Sequence, residues 1–217
     1  MKKDLTELVF ILDRSGSMSG LEEDTIGGFN SMIEKQKKED GECLVSVVLF
    51  DNDCSVLYDR VPISEVPVMT DREYYTRGCT ALLDAMGGAI HHIGNVHKYA
   101  RAEDVPEKTV FVVTTDGMEN ASRIYSADKV RQMVKHEQDK YGWEFLFLGA
   151  NIDAVETARR YGLREGHAVR FRNDKEGIDL NYKVMSETIA HVRKCKEVPA
   201  EWVEDIVADY NKRKEGK

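Results

Sequence analysis

Leu8-Val9-Phe10-Ile11-Leu12 runs without a polar break into Asp13-Arg14-Ser15-Gly16-Ser17. An apolar stretch with no alternation is what a strand looks like when both faces of its sheet are covered. Downstream, Val110-Phe111-Val112-Val113-Thr114-Thr115 runs in the same way into Asp116-Gly117. Between the two, Gly78-Cys79-Thr80 opens a helical stretch. Asp13, Asp116, Ser15, Ser17 and Thr80 can therefore all sit where an element meets a loop. They are hard oxygen donors of mixed charge, the kind of ligand that Mg2+ takes.

Outward from these segments the period of the apolar residues alternates. Residues 5–12 read as a strand and 21–38 as a helix, with Ile26, Phe29 and Ile33 on one face. Residues 42–50 and 54–58 read as two strands joined by Asp51-Asn52-Asp53, an antiparallel hairpin. Residues 62–75 are polar and irregular. A helix follows over 80–99, carrying Leu82, Met86, Ile90 and Ile93. Its Gly87-Gly88 predicts close packing on the sheet. Then come strand 108–115, helix 126–141 with Ser126 as N-cap, strand 143–148, short helix 153–161 closed by Gly162, strand 167–171 and helix 177–195. Pro199 breaks the chain. Residues 200–211 predict a further amphipathic helix with Trp202, Val203, Ile206, Val207 and Tyr210, and 212–217 a solvated charged tail. Such alternation implies a mostly parallel α/β sheet covered by helices. The expected organisation is one domain over 1–198, with 199–217 docked on it.

Composition narrows the function. The chain has 217 residues, 32% charged and 41% hydrophobic, with net charge -8. That balance is ordinary for a globular chain, and it argues against general nucleic-acid or anionic-membrane binding, which needs a basic face. No apolar run reaches the roughly 20 residues of a membrane span. Met1-Lys2-Lys3 starts like a signal peptide, but Asp4 and Glu7 interrupt the residues after it, so the segment reads as a strand. The four cysteines are scattered with no CxxC pair, which predicts reduced, buried thiols and a cytoplasmic location. The six histidines show no metal spacing.

In open α/β sheets ligands sit at the carboxyl ends of strands where the strand order reverses. If the strands ending at Asp13 and Asp116 flank that crevice, the two carboxylates face each other across it. Gly16, Gly20 and Gly117 would let the backbone turn tightly there. Asp13-Arg14-Ser15-Gly16-Ser17 resembles the D-x-S-x-S motif of von Willebrand factor A domains. Thr80, in Gly78-Cys79-Thr80-Ala81-Leu82, is similar to their conserved threonine, and Asp116, in Thr115-Asp116-Gly117, to their second aspartate. The resemblance runs from about Leu5 to Cys195 in order, spacing and strand context. The usual second glycine before the threonine is replaced by Cys79. The segment from Phe147 to Ala154, Phe-Leu-Gly-Ala-Asn-Ile-Asp-Ala, also resembles bacterial and phage cytoplasmic members.

The resemblance implies a Rossmann-like, doubly wound sheet with one antiparallel edge strand and helices on both faces. It also implies a metal-ion-dependent adhesion site holding Mg2+ or Mn2+ at Asp13, Ser15, Ser17, Thr80 and Asp116. Ser15 and Ser17 would be direct ligands and Thr80 direct or water-mediated, while Asp13 and Asp116 orient and charge-balance the shell. The function so implied is a module that binds an exposed Glu or Asp on a protein partner, with no nucleic acid and no membrane, and not an enzyme. Two other readings compete. Asp13, Ser15 and Ser17 could merely cap the following helix or stabilise a turn. A metal-dependent hydrolase or phosphatase is the chemical alternative. Against the latter, there is no G-x-x-x-x-G-K-[ST] loop, and Met18 occupies the nucleophile position of a G-x-S-x-G pattern. For Arg14, Arg77, Glu119 and Asn120 two readings stand side by side, solvated-loop status and a role in selectivity.

Overall fold

The computed structural model describes residues 1–215. Its elements are β1 (Lys2–Asp13), α1 (Glu22–Gln36), β2 (Glu42–Phe50), β3 (Cys54–Pro62), α2 (Leu82–Tyr99), β4 (Pro106–Thr115), α3 (Ala127–Tyr141), β5 (Glu144–Gly149), α4 (Ala154–Arg160), β6 (Ala168–Arg170), α5 (Lys175–Cys195) and α6 (Glu204–Glu215). The sheet order is β3-β2-β1-β4-β5-β6. Among the described residues only the β2–β3 pair is antiparallel; the other four pairs run parallel. This is the expected doubly wound α/β sheet with one antiparallel edge.

The unbroken apolar run of β1 is explained by its place. Leu8, Phe10 and Leu12 enter one core with Phe29 and Ile33 of α1 and Tyr182, Met185 and Ile189 of α5. Val9 and Ile11 enter the other, with Met86 and Ile90 of α2 and Val130 and Val134 of α3. Successive side chains of a strand point to opposite faces, and here both faces are covered. Each large apolar side chain so buried is worth roughly 1.5–3 kcal/mol. α1 approaches α5 closely because Gly28 has no side chain; a Cβ there would meet the Tyr182 ring at 2.2 Å.

Several local expectations are corrected. Gly87 does not pack on the sheet. It receives the Tyr125 ring from the loop after β4, where a Cβ would lie 2.3 Å from the ring. Of the cysteines only Cys43 is buried; Cys54, Cys79 and Cys195 are exposed, and all four are free. The last helix begins later than the apolar pattern suggests, at Glu204. Trp202 lies in the turn before it, buried, with its indole Nε1 donating to the Gly166 carbonyl at 2.7 Å. Ile206 is buried, whereas Val207 faces solvent. Arg213 is not part of a solvated tail: its guanidinium grips Asp174 with two bonds, of 2.7 and 2.8 Å. Gly216 and Lys217, also assigned to that tail, lie outside the described residues. Among the described residues no helix is long and apolar enough to cross a membrane.

Candidate metal centre

β1 and β4 are neighbours, with Leu12 opposite Thr114. From β1 the chain leaves towards β2 on one side, and from β4 towards β5 on the other, so the strand order reverses between them. Asp13 and the loop carrying Asp116 therefore share one crevice at the carboxyl edge.

Asp13 is 1% exposed and uses both oxygens. Its Oδ1 accepts the Ser15 N–H at 2.7 Å, and its Oδ2 accepts the Thr115 hydroxyl at 2.5 Å. The Ser15 and Ser17 hydroxyls are 2.9 Å apart. Ser17 Oγ donates to Asp116 Oδ1 at 2.5 Å. Asp116 Oδ2 accepts the Asn173 amide at 2.7 Å. A Cβ built on Gly117 would stand 3.0 Å from Thr80 Oγ1 and 3.4 Å from Ser17 Oγ, so these two hydroxyls flank one point. All five expected residues are thus brought into one constellation.

The positioning of Thr80 is explicit. Its N–H donates to Asn120 Oδ1 at 2.9 Å, and its carbonyl accepts the Asn120 N–H at 3.0 Å. On either side, Gly16 N–H donates to the Gly78 carbonyl and Ala81 N–H to the Asp51 carbonyl. Gly20 has a left-handed backbone, φ +89°. Gly16 and Gly117 do not; their small size serves close approach, Gly16 to the Gly78 carbonyl and Gly117 to Thr80.

The capping alternative fails on geometry. The residue before α1 is Leu21, with no side-chain cap, and Ser15 does not cap the 3-10 turn that follows it. Gly20 N–H is satisfied by Glu22 instead. The hydroxyls converge on the crevice.

Burial pushes the carboxyls of both Asp13 and Asp116 above the usual carboxylate range. Their hydrogen bonds offset part of this, and the charge of Asp116 adds to the effect on Asp13. A cation at this point would reverse that penalty. The donor set suits a hard dication: two carboxylates, three hydroxyls, no nitrogen and no sulfur. Among the described residues no cluster of three or more His, Cys, Asp or Glu occurs that would mark a different centre. A cavity of about 750 Å³ between α2 and α3 is lined by His97, Glu137 and Trp143 and by none of the five residues.

Sequence reasoning missed the frame around the five. Arg14 is 5% exposed, and its Nε donates to Asp51 Oδ2 at 2.8 Å. Arg77 donates to the same oxygen at 2.7 Å while remaining half exposed. Burial pushes the Asp51 carboxyl up, but the bonds from Arg77 and the Asp53 N–H outweigh it and hold the group below the usual range. Glu119 accepts the Leu83, Ala121 and Ser122 N–H groups, which closes the loop after Asp116 onto the start of α2. A signal for Asp51 was present, since Leu49-Phe50-Asp51 is a third apolar run ending in aspartate. For Asn173 there was none.

No family model matches the chain, and no curated protein does. Solved structures do. The vWF domain of the type V pili tip protein Mfa5 from Porphyromonas gingivalis is 11% identical with TM-score 0.62, over 89% of this chain and 98% of that one. Proximal thread matrix protein 1 from the mussel byssus, with a zinc-occupied MIDAS motif, is 14% identical with TM-score 0.58, over 85% of this chain and 46% of that one. A von Willebrand factor type A protein from Catenulispora acidiphila is 11% identical with TM-score 0.55, over 84% and 42%. The chain spans less than half the length of the latter two. At these identities the likeness establishes the fold: the chain has the von Willebrand factor A fold.

Proposed function

We propose that residues 1–198 form a metal-ion-dependent protein-binding module, with 199–215 docked on it. The convergence of Asp13, Ser15, Ser17, Thr80 and Asp116 at the β1/β4 edge is the observation that carries this reading. Asp13 is fixed by Ser15 N–H and Thr115, and its charge would balance the ion. Asp116 is fixed by Ser17 and Asn173. The Ser15, Ser17 and Thr80 hydroxyls are the neutral donors. Mg2+ or Mn2+ bound there would supply an electrophilic position for an anionic oxygen, a Glu or Asp of a protein partner. The zinc-occupied MIDAS of the mussel protein supports a divalent ion on this fold. The free cysteines support a cytoplasmic setting. Affinity capture from the native cell is the test. A partner retained with Mg2+ and released by EDTA supports the reading; retention unaffected by EDTA refutes it.

Hydrolysis is the weaker reading, because among the described residues no histidine, cysteine or lysine hydrogen-bonds any of the five, and a nucleophile needs an adjacent base. The histidines engage elsewhere, His92 with Asp59 and His97 with Glu7. No turnover of p-nitrophenyl phosphate or acetate is expected with Mg2+ or Mn2+. Turnover that vanishes in Asp116→Ala would make the enzyme reading the right one.

A further inference from the structure

We infer that Asn173 is a positioning residue of the metal centre, and that through Asp174 and Arg213 it ties the centre to helix α6. The inference rests on the reading that Asp13, Ser15, Ser17, Thr80 and Asp116 hold a divalent cation.

Asn173 lies in the loop between β6 and α5, on elements remote in sequence from the other site residues. Its Nδ2 donates to Asp116 Oδ2 at 2.7 Å. Its Oδ1 is buried and, among the described residues, has no hydrogen-bond partner. A flipped amide would set oxygen against a carboxylate oxygen, so the donor is held towards Asp116 and the acceptor is left over. A buried acceptor without a partner is destabilising. Here it belongs to the same planar amide that grips a site carboxylate, where an ion's water could satisfy it.

The loop that carries Asn173 has little freedom. Asp174 N–H donates to the Arg172 carbonyl at 2.9 Å, and Asp174 Oδ1 caps α5 by accepting the Gly177 N–H at 3.0 Å. A Cβ on Gly177 would fall 2.0 Å from the Arg172 carbonyl oxygen, so the turn closes only around a glycine. Both Asp174 oxygens are held by Arg213 Nη1 of α6, and Arg172 Nη1 reaches back to the Arg213 carbonyl at 3.3 Å. Arg213 is itself paired with Asp209 one turn earlier in α6. Trp202 and Ile206 anchor this segment in the core. The connected path is Asp116, Asn173, Asp174, Arg213. A change in the seating of α6 therefore moves the group that orients Asp116, and the orientation of Asp116 bears on the seating of α6.

Isothermal titration of the full chain with Mg2+, alongside thermal melts in EDTA, tests this. Loss of a residue that orients a metal ligand typically weakens metal binding 10–100-fold, so Asn173→Ala should weaken Mg2+ by about tenfold. Asn173→Leu, near-isosteric and uncharged but without the amide donor, should weaken it similarly. A merely structural role would lower the melt in EDTA and leave the Mg2+ affinity of the folded protein unchanged. Arg213→Ala should also weaken Mg2+, and the double variant Asn173→Ala/Arg213→Ala should lose less than the product of the two single effects. Should Asn173→Ala not fold, the near-isosteric Asn173→Leu carries the test alone. Wild-type binding with unchanged affinity in the Asn173 variants overturns the role of Asn173 and leaves the metal site standing. Fully multiplicative effects overturn the link to α6. Absence of Mg2+ binding in the wild type overturns the metal reading and this inference with it.

Discussion

Asp13→Ala is expected to abolish the stabilisation that Mg2+ confers. A ligand that binds only the native state adds about 2.7 kcal/mol at 100 times its Kd. For a domain of this size about 1 kcal/mol moves the melting temperature by roughly 2–4 °C, so the wild type should melt roughly 5–10 °C higher with Mg2+ than with EDTA. Asp13 is the decisive residue because it is buried and its two oxygens hold Ser15 and Thr115 in place. Removing it takes away a charge and also frees the Ser15 backbone that carries a proposed ligand. Asp13→Asn separates the two effects, since its remaining oxygen can still accept the Ser15 N–H. It should melt close to the wild type in EDTA and gain little from Mg2+. Ca2+ should stabilise the wild type less than Mg2+, since it seeks six to eight oxygens in a larger shell. A full Mg2+ response in Asp13→Ala would remove these five residues as the binding site.

Arg193→Met is expected to destabilise the protein by about 3–5 kcal/mol, because several buried carbonyl groups lose a charged donor at once, each at about 1–3 kcal/mol. Arg193 lies near the end of α5 and is 7% exposed. Its Nη1 donates to the Gln36 carbonyl at 2.7 Å and to Gln36 Oε1 at 3.2 Å. Its Nη2 reaches the Asp40 and Gly41 carbonyls at 3.2 and 3.1 Å. These carbonyls belong to the end of α1 and the turn after it, where helical partners run out. Methionine fills similar volume but takes the guanidinium away from all of them; the Gln36 carbonyl keeps the Glu39 N–H at 3.3 Å, while Gln36 Oε1 and the Asp40 and Gly41 carbonyls lose the Arg193 donor. Arg193→Lys should recover only part of the loss, because one ammonium cannot span the fork. Urea unfolding would show the midpoint falling at constant slope, and a loss below about 1 kcal/mol would contradict this account.

The five site residues were readable because each stands at a chain event that leaves a mark. Asp13 and Asp116 end apolar runs, and Thr80 sits where a polar segment becomes periodic. Strands β1, β2 and β4 were readable for the same reason: strands covered on both faces are uniformly apolar. What was not legible came from partners distant in the chain. Arg14 and Arg77 look like loop charges until Asp51 is seen between them. Gly87 looks like a weak point of a helix until Tyr125 is found lying on it. The late start of α6 has a similar cause: Trp202 is drawn by the Gly166 carbonyl into a turn where periodicity places helix. Cys54, Cys79 and Cys195 were misjudged because they sit at a strand start, in a site loop and at a helix end, where burial habits of the residue type decide nothing.

The position of β1 also bears on how the chain is made. Its two sheet neighbours are β2, which follows soon after, and β4, in which Val110 lies opposite Leu8. At a translation rate of about 5–20 residues per second, Leu8 waits roughly 5–20 s after synthesis for Val110 to be added. During that interval one edge of this apolar strand is unpaired, and the parts of its faces that α3 and α5 cover stay bare. Nascent chains stalled before residue 106 should therefore be strong clients of ribosome-associated chaperones, and chains released beyond β4 should not.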